Sequence, residues 1–146
     1  MSGARRAASC AFALAFAALS GACSSSATGR FEASGPRLGR WTMAPDRCLS
    51  GLRRGYVGAD LFRADEREDT ELVVVQRLEG PMVLARIPGT DEMVVFHVEE
   101  CATLEVDVHG NGVKVNGVPA VSGTVSIACD KPGFGSVRGV ATFTCY

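Results

Sequence analysis

Through its second half the chain alternates. "TLEVDV", starting at Thr103, puts Leu104, Val106 and Val108 in one phase and Thr103, Glu105 and Asp107 in the other. "TVSIAC" from Thr124 does the same with Val125, Ile127 and Cys129. "SVRGVATFTC" from Ser136 follows with Val137, Ala141, Phe143 and Cys145. A period of two sends successive side chains to opposite faces of a strand, so these segments read as half-buried β. "ELVVVQRL" (71–78) and "MVLARI" (82–87) bracket Gly80-Pro81 and read as a hairpin, and "PGTDE" separates the second from "MVVFHV". No helical stripe of ten residues runs outside the N-terminal apolar segment. The pattern predicts one all-β domain over residues 41–146, an antiparallel sandwich or small barrel closed or doubled to protect its edges.

Two details refine this. "VSGTVSIAC" (121–129) and "VRGVATFTC" (137–145) share a V-x-G pattern ending in Cys, as two consecutive strands facing one core would. Gly123 and Gly139 are then expected at bulges or close crossings. "GNGVKVNG" lacks a following helix and reads as turn chemistry, at Asn111-Gly112 or at Asn116-Gly117.

One long apolar run lies outside this domain. Arg5 and Arg6 precede an uncharged stretch from Ala7 to Ala22, rich in Ala and small residues. A positive start, an apolar middle and small residues at the end are the parts of a secretory signal peptide, here residues 1–22. The stretch is short for a span that needs ~20 predominantly apolar residues, and no later segment approaches that length, so no transmembrane helix is expected in the mature chain. The run ends "LSGACSSS", which resembles the lipobox of bacterial lipoproteins: Gly21 and Ala22 fill the small positions and Cys23 the acceptor. Leu19 lies four residues before the cysteine, and Ser20 stands where Leu is usual. Ser20-Gly21-Ala22 also fits ordinary signal-peptidase cleavage at the same bond.

Cysteine parity separates the two. With Cys10 gone, Cys23, Cys48, Cys101, Cys129 and Cys145 remain, and five thiols in an oxidising compartment leave one unpaired. Lipid on Cys23 leaves four cysteines for two disulfides. The resemblance implies a cell-envelope protein held to the lipid bilayer through acylated Cys23. Asp after the acceptor retains such lipoproteins in the inner membrane; Ser24 stands there instead, which implies the outer membrane.

Residues 23–40 follow as the expected tether. "SSSATGRFEASGPRLGR" is rich in Ser, Gly and Ala, with Phe31 and Leu38 as its large apolar residues. Such composition reads as flexible, with a reach of roughly 20–25 Å. Beyond the signal the chain carries 13 Lys plus Arg against 16 Asp plus Glu, and this absence of basic excess gives no reason to expect nucleic acid as a partner.

Candidate chemistry is sparse. His97, Glu99 and Cys101 would share one strand face, but zinc needs three or four ligands and Cys101 is expected oxidised, so no metal site is expected. "ADEREDTE" (64–71) carries five carboxylates without the EF-hand register and reads as a solvated loop. No nucleophile elbow, zincin, P-loop or dinucleotide motif occurs; no catalytic residue and no cofactor is expected. Trp41, Tyr56, Phe62, Phe96 and Phe143 read as core aromatics. Phe134 sits in the turn "DKPGFGS"; packing within that turn is the expected role, and an exposed contact residue is the alternative.

A hairpin turning at "KPGFGS" sets residue 129 against about 136 and 145 against about 120. Cys129 and Cys145 then lie some ~30 Å apart, too far to bridge. If "HGNG" turns the preceding hairpin, Cys101 also falls opposite residue 120, giving Cys101–Cys145 and Cys48–Cys129. A turn at Asn116-Gly117 would move that register. The domain resembles the small β-rich envelope lipoproteins of Gram-negative bacteria, a likeness that carries no activity with it. The reading is a tethered, non-catalytic binding or structural module whose expected partner is an unknown envelope protein; the alternatives are an inhibitor of an extracellular hydrolase and an envelope enzyme.

Overall fold

The computed structural model describes residues 25–66 and 70–146. Its strands are β1 (Ser26–Gly35), β2 (Gly39–Met43), β3 (Arg47–Ser50), β4 (Gly58–Phe62), β5 (Glu71–Val75), β6 (Met82–Arg86), β7 (Met93–His97), β8 (Cys101–Val115), β9 (Val118–Lys131) and β10 (Gly135–Cys145). They form two five-stranded antiparallel sheets, ordered β2-β1-β10-β9-β8 and β3-β4-β5-β6-β7, packed as a sandwich. The alternating segments are β8, β9 and β10, and the hairpin across Gly80-Pro81 is β5–β6. Among the described residues no helix is long and apolar enough to cross a membrane.

The strands of the second sheet run across those of the first. The chain leaves β7 at His97 and enters β8 at Cys101 after one 3₁₀ turn, Val98–Glu100. Farther along β8, the Val108 N–H donates to the side chain of Gln76, just past β5 (3.0 Å). Farther still, Ser50 at the end of β3 donates to the Pro119 carbonyl on β9 (3.0 Å). Successive strands of one sheet thus meet successive positions along a single hairpin of the other, as in orthogonal packing. Phe31, Phe143, Leu61, Leu72, Val83 and Phe96 fill the space between, all at most 2% exposed. Each such side chain contributes roughly 1.5–3 kcal/mol by leaving water.

Of the tether expected over residues 23–40, the described part, 25–40, is folded. Ser26–Gly35 is β1, held between β2 and β10, and Phe31, Ala33 and Leu38 are buried. The small residues that read as flexible are what allow close pairing. Phe31 lies opposite Gly139, where a Cβ would strike the Arg30 carbonyl and the Phe31 ring. Gly123 likewise abuts the Asp107 carbonyl and the Phe143 ring, so both glycines mark close approaches.

The disulfides are Cys48–Cys145 and Cys101–Cys129, which corrects the expected pairing. The β9–β10 register is within one residue of expectation, with Val137 opposite Cys129 and Val121 opposite Cys145. The preceding hairpin turns at Asn116-Gly117, both with positive φ as a tight two-residue turn requires. Register irregularities between Gly110 and Lys114, and between Cys101 and Thr103, then bring Cys129 opposite Cys101. Cys145 is left to meet Cys48 on β3, with Cα atoms 5.3 Å apart, and that bridge joins the two sheets.

Candidate functional site

Alternation buries one side of the first sheet and lays out the other in rows. Register sets Thr28, Thr142, Thr124 and Asp107 side by side across β1, β10, β9 and β8. The next row is Arg30, Val140, Ser126 and Glu105. Their immediate neighbours in the opposite phase, Ala27, Ala141 and Val125, point into the core, so these rows face outward. Strands ~4.8 Å apart make the first row a line of hydroxyls, and both rows end in a carboxylate on the edge strand. A groove of about 750 Å³ opens over them, lined by Thr28, Thr124, Thr142, Glu105, Asp107 and Val140 and bordered by Pro81. Val140 is 58% exposed, an apolar side chain among hydrogen-bonding groups. Hydroxyls both donate and accept while carboxylates only accept, so the surface suits an extended polar partner.

A second cluster is buried on the outer side of the other sheet. Asp60 on β4 and Glu71 on β5 are 1% and 2% exposed. The Tyr56 hydroxyl donates to Asp60, and Arg54 Nη1 stands 3.1 Å from the same carboxylate. Arg86 on β6 pairs with Glu71 and also donates to the Thr90 carbonyl (2.9 Å). Burial and the bond to Asp60 push the Tyr56 phenol far above its usual range. Each carboxylate here faces an arginine, which is what a buried charge needs to persist. Tyr56 and Arg54 fold over the sheet from the 3₁₀ turn Gly51–Arg54, with the Tyr56 ring against Gly51 and Gly58. The cluster serves to cover and fix β4 and β5. Its sequence signal was a single acid breaking each of the apolar runs "GADLF" and "ELVVV".

The residues singled out from sequence are dispersed. His97, Glu99 and Cys101 do not share a strand face, because a 3₁₀ turn separates His97 from Cys101. The His97 N–H donates to Glu100 (2.9 Å), and its ring accepts from the Glu100 backbone, so this histidine caps the turn. His97 and Glu99 do border a small cleft of about 170 Å³ beside Arg77 and Glu79. Among the described residues no group of three or more His, Cys, Asp or Glu is placed to hold a metal. The acidic stretch 64–71 divides: Asp65 lies on the surface against Arg63, whose hydrogen bonds hold its carboxyl below the usual range, while Glu71 is internal.

Phe134 is not an exposed loop aromatic. It packs partly buried on the core, with the Arg37 guanidinium 5.3 Å and the Lys131 ammonium 5.6 Å from its ring centroid. Its carbonyl accepts from the Arg37 and Leu38 N–H groups, both at 3.1 Å, so it clasps the β1–β2 turn to the β9–β10 turn. Cys23 and residues 1–22, the expected lipidation site and signal, lie outside the described residues.

Protein-family models, curated proteins and solved structures were compared with the chain, and none matches.

Proposed function

We propose that the mature chain is an envelope lipoprotein, anchored through acylated Cys23 and acting as a non-catalytic binding module. The observation that carries this is where the fold begins. Ser25 accepts a hydrogen bond from the Tyr146 N–H (3.0 Å), and Ser26 opens β1 opposite Thr144. The described fold therefore begins within three residues of the Ala22–Cys23 bond, and a cut there would leave every described strand in the mature chain. Two disulfides fit the oxidising compartment that a signal peptide addresses. Ser24, in the position where Asp would retain the protein in the inner membrane, favours the outer membrane.

The outward rows of the first sheet are the surface offered to a partner, an envelope protein of unidentified kind. Intact mass of the mature protein tests the anchor: a diacylglyceryl thioether on an N-terminal Cys23 is expected, and Cys23→Ala should accumulate as precursor or soluble protein. An unmodified mature chain in the soluble fraction would overturn the reading. Thr124→Arg, which fills the groove without touching the core, should abolish capture of any partner that the wild type retains from envelope extracts.

A further inference from the structure

We infer that the β8–β9 hairpin arm, together with the 3₁₀ turn after β3, is a membrane-contact surface that seats the domain on anionic phospholipid. The inference rests on the anchor at Cys23. In the first sheet Ser26 is level with Thr144 and Ser122, so β1 starts at the end where the β8–β9 hairpin projects. Cys23 lies three residues before Ser26, and an extended chain covers that in at most ~10 Å. The arm runs five residues from Ser122 to its turn at Gly117, roughly 16 Å at strand rise. Its tip therefore reaches at least as far as the anchor does. A lipid on Cys23 brings the arm to the bilayer with it.

The chemistry of this end fits such a neighbour. Val115 lies directly opposite Val118, and Val113 shares their phase on β8. These half-buried valines continue, past the sandwich, the phase of Ala120, which is packed away. Lys114 is exposed on the arm. Beside the arm, Ser50 holds the Pro119 carbonyl and its own N–H donates to Tyr146 (3.3 Å), placing the Gly51–Arg54 turn at the same end. Arg53 is exposed there with Leu52 half-buried, while Arg54 beside it is paired with Asp60. Valine and leucine beside lysine and arginine are the pairing that settles at a headgroup–acyl boundary, apolar groups at shallow depth and cations against anionic phosphates.

The test uses the full chain, acylated in the cell and reconstituted into phosphatidylethanolamine–phosphatidylglycerol vesicles. With Cys23 blocked by lipid and four cysteines paired, Lys114→Cys supplies one thiol for an environment-sensitive dye; Asp130→Cys, ~30 Å along β9, is the control. Quenching by lipids brominated near the headgroup should be several-fold stronger at 114 than at 130, and Arg53→Glu should narrow that difference. Equal, weak quenching at both sites in a chain whose mass shows the acyl group would overturn the inference and leave the anchor standing. A blue shift at 114 without lipid quenching would mean a second copy covers the arm, which also overturns it. A mass without the acyl group would overturn both.

Discussion

The two sheets contain five strands each and differ in how they meet water. In the first, one side of β1, β9 and β10 is packed and the other is open, so hydroxyls, carboxylates and arginines stand outward. In the second, every residue of β4 and β5 is buried, on both sides. Its charges, Asp60 and Glu71, are internal and matched to Arg54 and Arg86. Polar residues thus do opposite things in the two halves. On the first sheet they are free to contact something else; on the second they hold a covering layer in place.

The largest expected effects come from the covalent links, one between the sheets and one inside the first. Cys48–Cys145 closes 97 residues and Cys101–Cys129 closes 28. On the chain-entropy account these are worth about 4.7 and about 3.6 kcal/mol. Replacing the inter-sheet pair by alanines should therefore lower the urea midpoint further than replacing the intra-sheet pair. The reverse order would mean that the sheets hold together without their bridge.

Next come the charges. Glu71→Ala takes from Arg86, 17% exposed, the closer of its two carboxylates and leaves only the exposed Asp91 at 3.7 Å, and should destabilise by about 3 kcal/mol. Asp107→Ala, on the open side of the first sheet, should change stability by less than about 0.5 kcal/mol. Equal losses for the two in denaturant titration would erase the contrast between the sheets.

The contrast also explains what could be read from sequence. Strands with one wet side announce themselves by alternation, which is why the alternating stretches of β8 and β9 and nearly all of β10 were legible. β1 was not. Its in-phase residues Ala27, Gly29, Phe31 and Ala33 are mostly small, and small residues signal flexibility as readily as close backbone packing. The buried acids were also missed, because a covering layer built from Arg54 and Tyr56 leaves no periodic trace. Disulfide pairing failed on register alone: two irregularities in β8 decide which cysteine faces Cys101, and nothing local in the sequence announces both. On the candidate site, the polar phase of "TLEVDV" and "TVSIAC" was visible, but its meeting with Thr28 depended on recognising β1.

A smaller effect than that of Glu71 concerns a polar link between the sheets. Lys131 on β9 reaches the Val95 carbonyl on β7 (2.9 Å) and Glu100 in the intervening turn (2.9 Å). Burial acts to raise the Glu100 pKa, but hydrogen bonds from the His97 N–H and from Lys131 outweigh it and hold the carboxyl below its ordinary value of 4.5. A depressed carboxyl binds its proton more weakly in the folded state than in the unfolded one. Its contribution is therefore full above about pH 4.5 and is lost as pH falls through the folded value. Both side chains are about a quarter exposed, so solvent screening keeps the contribution below about 1 kcal/mol. Glu100→Gln preserves the shape and removes the charge. Thermal midpoints of wild type and variant should differ at pH 6 and converge as the pH is taken below 4.5, while losses common to other carboxylates cancel in the difference. A gap that stays constant with pH would show that the Glu100–Lys131 link between the sheets owes nothing to its charge.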